Sequence, residues 1–322
     1  MRINVIKQRS VWWIISSLII ISGLAGMIIS WTRPDIGAPL RPGLDFIGGT
    51  KLQVELDCGV PKNCDRPIDL NIVRQVMEEQ GLGGSTIQII GDKQHGLTIR
   101  TKTLDVEKRG KLQAVLTEKV GVFDPKSTQI ATVGPTLGKQ IFIAGVLAIL
   151  VSFGGILLYL TIRFQFDYAF FAFVALFHDV FITVGTFSIL GLVFGIEVDS
   201  LFVVAILTII GFSVNDTVVI YDRIREVISL SPEQHIDQVV DDAVNQTMSR
   251  SINTTVSAML PLFSIYFFGG ETLKNFALAL IIGFGAGAYS SIFIASTLLA
   301  WWREGHPVEP PKPKAIKVSE QI

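Results

Sequence analysis

Gly211-Phe-Ser-Val-Asn-Asp-Thr-Val-Val-Ile-Tyr-Asp-Arg-Ile-Arg-Glu226 places Asn215, Asp216 and Thr217 inside an apolar run that extends from Leu201 to Ile220. A charged carboxyl group at mid-helix raises the free energy of membrane insertion by roughly 2.5–3.5 kcal/mol, so Asp216 requires a partner, a water-filled cleft or a function. Two readings stand side by side: a functional ionisable group, or a polar residue that hydrogen-bonds within a packed bundle. We take Asp216 as the functional centre.

Outward from this stretch, 49% of the 322 residues are apolar and they gather into long runs, the pattern of a polytopic membrane protein. Val11 to Trp31, Ile141 to Ile162, Tyr168 to Phe194, Leu201 to Ile220, Ser251 to Phe268 and Phe276 to Trp302 are each near the ~20 residues that ~30 Å of hydrocarbon requires. Helix is the required form, because lipid supplies no hydrogen-bond partners. Of the 27 Lys and Arg residues, fifteen lie between Arg33 and Lys139, a segment long enough to cross regardless of charge. The other twelve set the orientation: Arg2, Lys7, Arg9, Arg163, Arg223, Arg225, Arg250, Arg303, Lys312, Lys314 and Lys317 share one side of a six-span arrangement, leaving Lys274 on the other. Both termini are expected in the cytoplasm. The first run follows a basic start, but its length and its flanking Trp12, Trp13 and Trp31 fit an uncleaved anchor better than a signal peptide.

This gives a cytoplasmic start and first span over 1–31, an extracytoplasmic domain over 32–138, five spans over 139–302 and a cytoplasmic tail over 303–322. Within the domain, Thr50 to Leu56, Thr86 to Ile90, Leu97 to Lys102 and Thr128 to Thr132 read as strands. Asp69 to Gln80 and Lys108 to Val120 have helical spacing, Gly110 weakening the second. The order βαββαβ predicts a ferredoxin-like α+β unit. Cys58 and Cys64 lie in this exported domain, where a disulfide is favoured over two free thiols. With no histidine or further cysteine nearby in sequence, they do not make a zinc site.

The third span carries His178-Asp179 about ten residues in, a pair that cannot easily face lipid. It belongs either to the same polar interior as Asp216 or to a hydrogen bond between helices. Glu197 and Asp199 form an acidic extracytoplasmic mouth or a solvated loop. Ser231-Pro-Glu-Gln234 has the residues of a capping box and predicts an amphipathic cytoplasmic helix near 231–248, with Ile236, Val239, Val240, Ala243, Val244 and Thr247 on one face. Asn253, Thr254 and Thr255 follow in the first turn of the fifth span, and Gly283 to Gly287 offer a small-residue stripe in the last. Asp216 lies seven residues before Arg223, hence roughly 10 Å above the cytoplasmic interface, within reach of an extended Arg250 entering from the next span. Movement of one helix in such a switchable pair would alternately load and release a proton.

Four segments together resemble the SecF subunits of the SecDF protein-export complex, in the resistance-nodulation-division superfamily. They are Gly43-Leu-Asp-Phe-Ile-Gly-Gly-Thr50, with Gly43, Asp45, Gly48 and Gly49; His178-Asp179-Val180; Gly211 to Glu226; and Asn245 to Thr255. Phe212 stands where that family often has Tyr, and the Cys58 to Cys64 loop is not part of its pattern. The resemblance implies a SecD-like partner, action beside the SecYEG channel on exported preproteins, and drive by protons. It gives the position of Asp216 as the proton-carrying carboxylate and that of Arg250 as its basic counterpart; Asn215, Thr217, His178, Asp179 and Asn253 are read from the spans themselves as supporting polar groups. It implies neither a cofactor nor a nucleic-acid partner. Competing readings are a proton-driven exporter of lipids or small molecules and a non-transporting membrane scaffold. The exported segment of ~100 residues speaks against the first, and ionisable groups within the spans against the second. With no Walker loop, nucleophile triad or metal cluster in the sequence, no enzyme active site is expected.

Overall fold

The computed structural model describes residues 3–91 and 93–306. The expected tail lies outside the described residues from position 307 onward. Where lipid would leave the backbone without partners, the chain forms long helices. A 3₁₀ turn at Ile6–Gln8 leads into α1 (Arg9–Thr32), and a one-turn helix α2 (Leu44–Ile47) precedes β1 (Gly49–Glu55). Then come α3 (Leu70–Glu79), β2 (Thr86–Ile90), β3 (Gly96–Thr101), α4 (Val106–Lys119) and β4 (Gln129–Val133). Four more helices follow: α5 (Pro135–Arg163), α6 (Phe166–Phe194), α7 (Ser200–Leu230) and α8 (Ile236–Phe268). The last rod is α9 (Glu271–Ser290), a π-helical turn (Ser291–Ala295) and α10 (Ser296–Gly305). Among the described residues, six rods are long and apolar enough to cross a membrane.

Two compact units divide the chain: Pro42–Val146, and Met1–Arg41 with Leu147–Ile322. In the first, the sheet order is β2-β3-β1-β4 with antiparallel neighbours throughout, the expected ferredoxin-like arrangement. Leu52 stands opposite Ile99, and the inward residues of β1 and β3 meet Val73, Val76 and Met77 of α3 and Leu112 and Leu116 of α4 in one core, while Ile130 of the edge strand β4 is exposed. Asp69 and Asp105 cap α3 and α4, each accepting from a backbone N–H of the first turn. The second helix thus starts two residues earlier than its periodicity suggested, because Asp105 is the cap. Cys58 and Cys64 are joined in a disulfide, their Cα atoms 5.3 Å apart. The fold also brings His95 to them, Nδ1 lying 3.7 Å from Cys58 Sγ. This corrects the expectation of cysteines without a nearby histidine; the turn before β3 closes a sequence gap of 37 residues. Joined sulfurs are not thiolate ligands.

Gly48 and Gly49 explain their own motif. Both have positive φ (+73° and +124°), and a Cβ would lie 2.8 Å from Pro135 Cα at the first and 2.5 Å from the Thr101 carbonyl oxygen at the second. The chain enters the sheet backbone against backbone, which only glycine permits.

In the helical unit, α6, α7 and the last rod are the most deeply buried, and α5 is exposed over most of its surface. α1 lies on α6 where Gly23 and Gly185 face each other, a Cβ on Gly23 falling 2.8 Å from Gly185 Cα. The separate amphipathic helix expected near 231–248 is not found as such. α7 continues to Leu230 because Ile224 and Val227 keep its inner face buried beyond Arg223, and Ser231 ends it, its N–H bonded to Val227 O at 2.9 Å. The next helix starts at Ile236, capped by His235, and runs unbroken through Pro261 to Phe268. Val240, Val244, Thr247, Ser251 and Thr255 make one continuous buried stripe along it. The surface segment and the fifth span are therefore a single rod.

Candidate functional site

Asp216 sits at the middle of α7 on its buried face, with Ser213 and Ile220 a turn away on either side. It is 3% exposed, and its Oδ2 has no hydrogen-bond partner among the described residues. Arg250 lies on the exposed side of α8 and acts on Asp216 across space; no bond or ion pair joins the expected pair among the described residues.

The strongest polar cluster centres on Asp179 of α6, which is fully buried. Its Oδ2 accepts from Ser213 Oγ of α7 at 2.6 Å and from Ser290 Oγ of α9 at 2.8 Å. Its Oδ1 lies 2.9 Å from His178 Nδ1. Three helices thus converge on one carboxyl group. On the other side of Ser213, Thr217 Oγ1 bonds the Ser213 carbonyl at 3.2 Å and Ser291 Oγ at 2.8 Å. Tyr221 Oη then donates to Ala295 O at 3.1 Å, in the π-helical turn where the regular bonding pattern is relaxed. Small residues admit this crowding: a Cβ on Gly287 would fall 3.2 Å from Ser213 Cβ, and one on Gly283 would strike Ile209.

The fold buries Asp216, Thr217, His178 and Asp179; His178, Asp179 and Thr217 are bonded within the hydroxyl cluster, whereas Asp216 Oδ2 has no bond to it among the described residues. It leaves Asn215 and Asn253 exposed on the outer surfaces of α7 and α8. Gly43, Asp45, Gly48 and Gly49 belong to the one-turn helix and turn that lead into β1. Ser213, Ser290, Ser291 and Tyr221 were missed as site residues. Their signal was faint: hydroxyls in apolar runs, with two adjacent serines in the last span.

A family model described as "Protein export membrane protein SecD/SecF, C-terminal" matches residues 112–305, and the "SecD/SecF GG Motif" matches residues 36–60. The protein translocase subunit SecF of Synechocystis sp. is 54% identical over 319 residues, spanning 99% of this chain and 100% of that protein. This chain belongs to the SecF family of protein translocase subunits. The SecF of Prochlorococcus marinus is 37% identical over 94% of the chain and 95% of its own length. Among solved structures, SecDF from Thermus thermophilus, described as a translocon-associated membrane protein, superposes with a TM-score of 0.78 at 28% identity over 94% of this chain. SecDF in a super-membrane-facing form gives 0.63 at 27% identity over 95%. The SecF-family chain spans 39% of the length of each of these SecDF chains.

Proposed function

We propose that this SecF-family subunit works with a SecD-like partner beside the SecYEG channel, using the proton gradient to promote export of polypeptides. Asp216 is the proton carrier and Arg250 its basic counterpart. Both termini are cytoplasmic, and the α+β unit within residues 32–138 faces the other side. The observation that carries the reading is the buried, unpartnered Oδ2 of Asp216. An acceptor serving only to pack helices would be bonded to one of them. Arg250, near enough to act yet not locked in an ion pair, is placed to change its effect when α7 and α8 shift. A proton falling through the membrane potential releases ~2.3 kcal/mol per 100 mV, enough to bias a conformational change of a few kcal/mol.

The test compares preprotein export with and without a proton gradient in matched amounts of wild-type and Asp216→Asn complexes. Asn keeps size and hydrogen bonding but fixes a neutral state, so the assembled variant is expected to lose gradient-dependent acceleration. Equal acceleration in both would remove Asp216 from the role. Arg250→Lys is expected to retain more activity than Arg250→Ala, since Lys keeps the charge and loses only the planar fork.

A further inference from the structure

We infer that His178 and Asp179 form a second proton-holding site, one turn of α7 from Asp216 and joined to α7 and α9 through the hydroxyls of Ser213 and Ser290. The inference rests on the proposed role and orientation of Asp216 and adds a station before it.

Asp179 is fully buried, and among the described residues no lysine or arginine touches it; the His178 ring lies against its Oδ1. A bare carboxylate charge in that place would be strongly disfavoured, so the pair keeps one proton between them, as carboxyl with neutral imidazole or as carboxylate with imidazolium. Either form satisfies the 2.9 Å contact. The facing groups leave little else to titrate. α7 presents Ser213 and, a turn further, Asp216; α9 presents Ser290, and Tyr289 lies over the imidazole at 6.0 Å. α1 reaches this layer through Trp12 and Ser16, both bonded to the Tyr289 hydroxyl, and α5 offers only the ring of Phe153 against Phe177. From α8, Arg250 acts on Asp216.

His178 Nε2 is buried without a partner among the described residues, whereas a ring retained only for packing would use both nitrogens. That free nitrogen can take up or give up a proton while Nδ1 stays engaged with Asp179. Beyond the pair, every hydroxyl can donate and accept at once. Ser213 and Ser290 share Asp179 Oδ2, and Ser213 stands one turn before Asp216 on the same buried face of α7. The direction fits as well. Ser213 precedes Asp216 by one turn of a helix that descends from Ser200 outside to Leu230 inside, so the pair lies on the side from which protons fall. In each step the pair yields a proton toward the Asp216 carboxylate as extracytoplasmic water returns one at His178 Nε2, so no bare carboxylate persists at Asp179. No electron moves.

The experiment uses the complete complex with its partner in proteoliposomes. Infrared difference spectra on a pH step should show, in Asp216→Asn, a titrating carboxyl or imidazole band that vanishes in Asp216→Asn/Asp179→Asn. Per assembled complex, Asp179→Asn should lower gradient-dependent acceleration of export by about tenfold or more, although its amide oxygen can still accept from both serines. His178→Gln should shift the midpoint of the pH profile, which a purely structural ring would leave in place. The inference is overturned if Asp179→Asn matches wild type in rate and pH midpoint, or if Asp216→Asn shows no titrating band. Should Asp179→Asn fail to assemble, loss of the band in Asp216→Asn/His178→Gln and the pH midpoint of His178→Gln decide instead, and a retained band with an unmoved midpoint overturns the inference. A full gradient response in Asp216→Asn would instead sink the role of Asp216 and leave the Asp179 result to stand by itself.

Discussion

Gly287 shows how much a single missing methyl group permits. A Cβ there would lie 3.2 Å from Ser213 Cβ and 3.6 Å from Asp179 Oδ2, so the meeting of α7 and α9 at the carboxyl group depends on its absence. Gly287→Val is expected to push Ser213 away and remove one donor from a fully buried acceptor, at about 1–3 kcal/mol. Gly285→Ala, whose new methyl would meet only Met259 Cε at an ordinary 3.5 Å, should be tolerated. Thermal unfolding of the two purified complexes separates these outcomes; equal stability would remove the packing argument. At this scale the sequence is legible where charge betrays it. Asp216, His178 and Asp179 stand out because ionisable groups are costly in an apolar run. Ser213, Ser290 and Ser291 do not, because a serine in a span can satisfy itself on a carbonyl of the preceding turn, as Ser290 also does on Gly287, and only packing shows that Ser213 and Ser290 reach Asp179 and that Ser291 meets Thr217.

Among the elements, α8 differs most from its sequence reading. Ser231, Pro232 and Gln234 have the chemistry of a helix start, yet they occupy the turn after α7, since burial of Ile224 and Val227 carries that helix further than its polar residues suggest. Local propensity yields to tertiary packing. One result is an arm continuous with the helix that bears Arg250. The arm also holds the start of the chain. Asp241 Oδ1 accepts from Val5 N at 2.9 Å and Ile6 N at 3.1 Å, and Asn245 bonds both N and O of Ile3. Asp241→Ala is expected to release this clasp at about 1–2 kcal/mol, read as an increase of about tenfold in hydrogen exchange at Val5 and Ile6. Unchanged protection there would mean that packing alone holds the segment. In the α+β unit, the strand and helix order was readable from periodicity alone, while the approach of His95 to the cysteines was not, being set by register. Replacing both Cys58 and Cys64 by Ser should cost about 2 kcal/mol, the loop being short. In untreated membranes, an impermeant thiol reagent should label the wild-type cysteines only after reduction. Equal labelling before and after would mean that the bond does not form.

For the whole molecule, the six rods do not cover their own polar groups. Asn215, Arg250 and Asn253 are exposed on α7 and α8, and the buried hydroxyls of Ser251 and Thr255 lack partners among the described residues. Exposed polar groups of this kind within spans are expensive against lipid, so another protein surface should lie over the α7–α8 side. The span of 39% of each SecDF chain agrees with a subunit that is part of something larger. A lipid-facing apolar helix, by contrast, needs no cover, which is how the broad exposure of α5 is understood. We therefore expect the purified SecF-family chain alone, reconstituted with the SecYEG channel, to give no proton-gradient-dependent stimulation of export, and addition of its SecD-like partner to restore it. The partner should also shield the α7–α8 surface: a cysteine placed at Asn253, in a chain otherwise free of cysteine, should react with a maleimide in the isolated subunit and lose most of that reactivity in the complex. A single-chain preparation that couples the gradient to export, with position 253 equally reactive in both states, would contradict this placement. Loss of stimulation with unchanged reactivity would keep the partner but move it to another face.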